Sequence, residues 1–136
     1  MSCLFCSIIN KEKPAYIFYE DDAVVAFLDV FPHALGHTLV VPKRHMETML
    51  ELRDDELASF WKGVRRALEV LNRSLEPDGF TIGINHGKVG GQAVEHLHIH
   101  LMPRFLGDGG GSLHSVIKNP GTQSVEEVYK QITEKN

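Results

Sequence analysis

EHLHIHLMPR, residues Glu95 to Arg104, alternates polar and apolar positions without a break from His96 to Leu101. Alternation of this kind marks a half-buried strand, because successive side chains in a strand point to opposite faces. Leu97, Ile99 and Leu101 then enter a core, and His96, His98 and His100 share the other face. Neighbouring histidines on that face stand roughly 6.5–7 Å apart along the chain, close enough for adjacent rings to converge on one small ligand. The strand is expected over His96–Met102, with Pro103 ending it because proline cannot donate to a ladder. A single strand histidine is commonly a hydrogen-bonded structural residue. Three in register carry a desolvation cost that needs partners. The residues alone leave three options open: a metal site, acid–base chemistry, or nucleophilic catalysis by imidazole.

Working outward, the chain of 136 residues has the length of a single domain, 1–136, and an ordinary apolar share of 43%. Net charge is −4, and no long basic run is present, which makes nucleic acid an unlikely partner. No stretch approaches the roughly 20 apolar residues of a membrane span. The N-terminus lacks the basic and apolar regions of a signal peptide, so a cytoplasmic location is expected. Cys3 and Cys6 form a Cys-x-x-Cys pair, which in a cytosolic chain is redox-active or metal-binding. Its place at the extreme N-terminus, with no strand before it, favours zinc.

Phe5, Ile8 and Ile9 are spaced for a short helix. Tyr16–Glu20 and Ala23–Leu28 read as a hairpin turned at Asp21-Asp22. Thr38–Val41 is a third strand, stopped by Pro42. In 54–75, Leu57, Phe60, Trp61, Val64, Leu68, Leu71 and Leu75 recur in steps of three and four, which predicts one amphipathic helix capped by Asp54 or Asp55. Phe80–Asn85 is a fourth strand, and Ser124–Glu134 a last helix capped by Ser124. The sum is an α+β domain: a five-stranded antiparallel sheet with one long helix and shorter terminal helices. Residues 107–112 are glycine-rich and read as a mobile loop.

The segment Asn85-His-Gly-Lys-Val-Gly-Gly-Gln92 precedes the histidines. Its glycines allow exposed backbone N–H groups to form an anion-binding nest. Beside such a phosphate cradle, a neutral imidazole nitrogen can attack phosphorus and form a covalent phosphoramidate. Flanking donors would stabilise the oxygens.

His96-Leu-His-Ile-His-Leu-Met102 fits the histidine triad, His-φ-His-φ-His-φφ with φ apolar. On this motif the chain resembles the HIT superfamily of nucleotide hydrolases and transferases. Cys3-Leu-Phe-Cys-Ser-Ile-Ile9, Phe27-Leu-Asp29, Gly36 to His45, Asn85 to Gln92 and Pro103-Arg104 extend the resemblance over about residues 3–105. It implies that His98 is the nucleophile at the α-phosphorus, forming a nucleotidyl-histidine that water converts to a nucleoside monophosphate. It implies that His100 and His37 attend the phosphate and that Asp29 holds the ribose hydroxyls. Asn85, Gly91 and Gln92 would contact the phosphate chain or leaving group. Phe5, Ile8 and Phe27 would wall a purine. Cys3, Cys6, His45 and His96 would hold a structural zinc, with no organic cofactor; zinc on the triad itself is the rival arrangement. A homodimer is also implied.

The expected substrates are purine nucleotide derivatives, either dinucleoside polyphosphates or nucleoside phosphoramidates, with Pro103-Arg104 and Gly107-Asp108 leaning toward the former. Alternatives are nucleotidyl transfer to a phosphate acceptor and a zinc-stabilised nucleotide-binding regulator with negligible turnover. Ala93 departs from the family pattern, since many relatives place a hydroxyl there. Glu95 also departs, but alternation turns it away from the histidines.

Overall fold

The computed structural model describes residues 3–135. In chain order it contains α1 (Leu4–Ile9), β1 (Ile17–Glu20), β2 (Val24–Leu28), β3 (Thr38–Pro42), α2 (Leu57–Leu75), β4 (Gly79–Gly83), β5 (Ile99–Arg104) and α3 (Val125–Glu134). The strands form one antiparallel sheet in the order β1-β2-β3-β5-β4. The α+β expectation therefore holds. Asp21 makes the β1–β2 hairpin by accepting the N–H groups of Ala23 and Val24 on one carboxylate oxygen, at 2.7 and 2.8 Å.

Alternation on the strands divides two cores. Val24, Ala26, Val40, Leu97, Ile99 and Leu101 face α2 and pack with Phe60, Val64, Ala67 and Leu71. Val25, Phe27, Leu39 and Val41 face the other way and pack beneath Phe5 and Ile8 of α1. β3 is covered on both faces, and all five of its residues are buried. Full burial of a side chain such as Phe60 contributes about 1.5–3 kcal/mol.

The apolar stripe of α2 is rotated from its expected position. Leu57 and Trp61 remain 39% and 38% exposed, whereas Gly63 and Ala67 lie against the sheet. Small residues win this contact because a Cβ at Gly63 would collide with Val24. Neither Asp54 nor Asp55 caps α2 through its side chain. A 3-10 turn, Asp54–Glu56, precedes the helix, and Glu56 accepts the Arg53 N–H at 2.9 Å while pairing with Arg44.

β5 is displaced toward the C-terminus relative to His96–Met102. In the β3 register, Val40 pairs with Ile99, so continuing it by two residues would set Leu97 opposite Pro42, which has no N–H to give. The Leu97 N–H instead reaches the Met46 carbonyl at 2.7 Å. At the other end Pro103 does not stop the strand. It pairs in register with Phe80 of β4, beyond the last β3 pair at Leu101, where no donor toward β3 is required. The inward-outward alternation persists through both changes: Leu97, Ile99 and Leu101 are fully buried toward α2.

Candidate functional site

Three histidines on one face end in three environments, each set by what the second ring nitrogen meets. Nδ1 of His98 lies 2.7 Å from the His96 carbonyl. A carbonyl only accepts, so Nδ1 carries a proton, and in the neutral ring the lone pair is then on Nε2. The Phe5 ring stands edge-on to His98 with centroids 5.2 Å apart and supports it from behind.

His37 and His100 form a chain. The backbone N–H of His33 donates to Nδ1 of His37 at 3.1 Å. Burial lowers the pKa of His37 against the opposing pull of Asp29, so the ring is neutral at pH 7 and its one proton sits on Nε2. That nitrogen is 2.9 Å from Nδ1 of His100 and donates to it. Burial, reinforced by His98 and His37, pushes the pKa of His100 down to about 4. The neutral ring must then carry its proton on Nε2. Among the described residues that buried atom has no hydrogen-bond partner. A buried donor left unpaired is costly, so its geometry fits a ligand oxygen as acceptor.

His33, His37 and His100 line one end of an open groove of about 1020 Å³, together with Asp29, Asn85 and Gly91; His98 stands beside His100, with ring centroids 5.0 Å apart. Asp29 accepts the Phe31 N–H at 2.9 Å and places its other oxygen 3.8 Å from Nε2 of His37.

Other expected contacts are not brought to the groove. Gln92 is a brace: its Oε1 accepts the Gly87 N–H, and its Nε2 donates to the carbonyls of Glu47 and Val94. The N–H groups of Gly87, Gly90, Gly91 and Gln92 are bonded within the loop, so they do not form the open phosphate nest expected from the glycines. Phe5, Ile8 and Phe27 are only 4%, 7% and 4% exposed. They fill the core between α1 and the sheet, and of the three Phe5 stands against His98.

Of the far half of the groove, the sequence pointed to Arg104 and Asp108 but not to Thr81, Leu113 or Val116. Met102, Arg104 and Thr81 line it, with Leu113 and Val116 from the C-terminal segment. The signal was available in part: Met102 and Arg104 continue the alternation of His100 past Pro103. His33 acts through its backbone, which no side-chain pattern reveals.

A second cluster lies at the start of the same histidine stretch. One ligand atom from each of Cys3, Cys6, His45 and His96 lies within 4.8 Å of all the others. Nε2 of His96 donates to the Pro42 carbonyl at 2.9 Å, which leaves the Nδ1 lone pair turned toward the cysteines. That nitrogen is 3.3 and 3.6 Å from the two sulfurs and 3.1 Å from Nδ1 of His45. Cys6 Sγ is 3.3 Å from the same His45 nitrogen. Tetrahedral coordination by two thiolates and two imidazoles requires ligand–ligand edges of roughly 3.3–3.8 Å. The four residues fit such a metal, and the second-sphere carbonyl orients His96 as a ligand. The cysteines pair with His45 and His96, so the cluster supports the arrangement expected from the resemblance over zinc held by the triad.

Among the described residues no helix is long and apolar enough to cross a membrane. A sequence profile of the HIT domain matches residues 10–107. The chain is 49% identical over 130 residues to the uncharacterized HIT-like protein MJ0866 of Methanocaldococcus jannaschii, covering 96% of this chain and 98% of that one. A histidine triad nucleotide-binding protein from Candida albicans superposes with a TM-score of 0.79 at 30% identity, covering 98% of this chain and 94% of that one. A HIT family hydrolase from Clostridium thermocellum gives a TM-score of 0.72 at 33% identity, with 82% and 96% covered. The motif legible at His96–Met102, the sheet that carries it and these matches agree: the chain belongs to the HIT domain family.

Proposed function

We propose that the protein is a nucleotide hydrolase that cleaves at the α-phosphate and releases a nucleoside monophosphate through a nucleotidyl-His98 intermediate. The observation that carries this reading is the complementary protonation of two neighbouring rings. His98 keeps a lone pair on Nε2, and His100 presents a proton on an unpartnered Nε2, with ring centroids 5.0 Å apart. A nucleophile and a donor for phosphoryl oxygen are what in-line displacement at phosphorus requires. The family resemblance to a nucleotide-binding protein and a hydrolase adds support.

In the first step the lone pair of His98 Nε2 forms a bond to phosphorus. The bond from phosphorus to the leaving group breaks, and the leaving group departs with the electron pair and takes a proton from solvent. The imidazolium that results keeps its Nδ1–H bond to the His96 carbonyl. The Nε2–H of His100 donates to a phosphoryl oxygen as charge builds there. Water then attacks phosphorus and releases one proton to solvent, the N–P bond breaks, and its electrons return to Nε2. His37 acts behind His100 by holding its tautomer. Asp29, at the groove mouth, is assigned to the ribose hydroxyls, and Asn85 and Gly91 to the phosphate side.

Zinc is the metal that the Cys3, Cys6, His45 and His96 set suits, and when bound it would supply a structural cross-link. Those residues would tie the N-terminus to the strand that carries His98. We further infer a homodimer, which size-exclusion chromatography with light scattering checks: a single species of monomer mass removes it. The hydrolase reading is tested by rapid-quench intact-protein mass spectrometry with adenosine phosphoramidate and diadenosine polyphosphates. An adenylyl adduct in the wild type and none in His98→Ala is expected. Absence of both adduct and AMP with every substrate would overturn it.

A further inference from the structure

The far half of the groove is built by a segment that the catalytic motif does not include. Arg104, at the end of β5, is clamped. Its Nε and Nη2 donate to the two carboxylate oxygens of Asp108 at 2.7 and 2.9 Å. Its Nη1 donates to Thr81 Oγ1 at 3.0 Å and to the Gly111 carbonyl at 2.6 Å. Asp108 also accepts the N–H groups of Phe105 and Gly110. The carboxylate thus ties both ends of the turn at 105–110 to the sheet. Bidentate, charge-assisted pairing is the strong and geometrically specific form of this contact. Gly110 fits because a Cβ there would run into the guanidinium. Past the clamp the chain makes a short 3-10 turn, Leu113–Ser115. A Cβ at Gly83 would lie 3.9 Å from Leu113 Cδ2, so Leu113 overhangs β4.

Two consequences concern what the groove accepts. First, among the described residues that line it, the only lysine or arginine is Arg104, and its charge is already met by Asp108. The groove therefore has no free permanent cation for a polyphosphate chain, and Asp29 and Asp108 add negative charge. Second, the surfaces that flank the far end, Met102, Leu113 and Val116, are apolar.

Resting on the hydrolase reading above, we propose that Arg104 and Asp108 are positioning residues: they hold the 111–116 segment as the wall of a leaving-group subsite that favours an apolar, uncharged group over a polyphosphate tail. This reverses the lean toward dinucleoside polyphosphates read from Pro103-Arg104 and Gly107-Asp108, because the arginine that suggested it is engaged.

The test is equilibrium binding by calorimetry, which does not depend on turnover. The probes are AMP, ATP and an adenosine phosphonate whose phosphorus carries a non-cleavable arylethyl group. The wild type should bind the arylethyl compound about tenfold more tightly than AMP, the gain expected when roughly 55 Å² of apolar surface is buried. ATP should bind no more tightly than AMP. Asp108→Asn removes the charge of the clamp, and Gly110→Ala displaces Arg104 without changing any charge. Both should lose the tenfold preference and keep AMP affinity within about twofold, since a loosened wall costs only the groups that lean on it.

The proposal is overturned if the arylethyl compound binds no better than AMP, if ATP outbinds it, or if both variants weaken every ligand by the same factor. A merely structural role would give that last result. Failure of the wild type to bind AMP would overturn the subsite together with the hydrolase reading. The expected binding pattern without turnover of any adenosine conjugate would remove the hydrolase reading alone and leave the subsite standing.

Discussion

The two ends of one histidine stretch have the same residue type on the same face and opposite chemistry. At one end His96 turns Nδ1 into a nest of two thiols and a second imidazole. At the other, the neutral rings of His98 and His100 use Nε2 in opposite senses, one as an acceptor and one as a donor. The difference lies in the partner of the opposite nitrogen. A backbone carbonyl from Pro42 fixes His96, a carbonyl from His96 fixes His98, and a backbone N–H from His33, relayed through His37, fixes His100. Side-chain identity supplies imidazole. The opposite contact decides whether it becomes a ligand, a nucleophile or a donor.

The largest effect expected from breaking this contrast is at His98. His98→Ala should lower turnover by on the order of 10³-fold or more while AMP binding changes little, because the bond-forming atom is lost and the groove remains. Single-turnover kinetics beside binding isotherms would read this, and retained turnover would move the nucleophile elsewhere. At the opposite end, Cys3→Ser combined with Cys6→Ser should leave the triad chemistry in place but empty the cluster of metal. Melting temperature should then fall by on the order of 10 °C, since a structural metal adds its binding energy to folding. Elemental analysis showing unchanged metal would sink the cluster as a site.

A smaller effect sharpens the donor role. His37→Ala should release the tautomer of His100 and reduce kcat by about 10- to 100-fold, in the range for losing one oriented oxyanion donor, with KM nearly unchanged. His37→Gln can still donate to Nδ1 of His100 and should recover part of the rate. Equal losses in both variants would show that His37 acts in another way.

The smallest effect is on stability against pH. His100 is held at about 4 by burial, below the ordinary value of 6.5, with His98, His37, His33 and Asp29 around it. A depressed histidine favours the native state above the unfolded value, and that preference fades as pH falls from about 6.5 to about 4, because the unfolded chain takes up the proton first. Melting temperature should therefore decline over that window, and less steeply in His100→Gln. Parallel curves would show that His100 does not contribute.

Much of the fold was legible because it rests on local periodicity. The β1–β2 hairpin, the long helix and the inward set Leu97, Ile99 and Leu101 follow from spacing alone. Helix facing was less legible: Trp61 belongs to the apolar pattern of α2 but stays at the surface, since Gly63 and Ala67 allow a closer approach to β2. The ends of β5 were not legible either. They depend on Pro42, which offers β5 no N–H, and on the β3 pairing ending before Pro103, and both are facts about a neighbouring strand. Gln92 and the glycines before the triad carried the right residue types for a phosphate cradle. The N–H groups closed within the loop, and the Gln92 side chain braced it against Glu47.

By itself the sequence determined which residues alternate, which side chains could ligate or attack, and the family to which they belong. These are properties of residue type and of a period of two along a strand. Only the tertiary structure decided which nitrogen of each ring carries the proton, which glycine N–H groups remain open, and that Arg104 is held by Asp108 against the sheet. The reason is that these outcomes depend on atoms brought together through space. His96 finds its carbonyl 54 residues away at Pro42, and His100 finds its donor 63 residues away at His37. A hydrogen bond is specified by the distance and direction of the partner that arrives, and residue spacing along the chain contains neither.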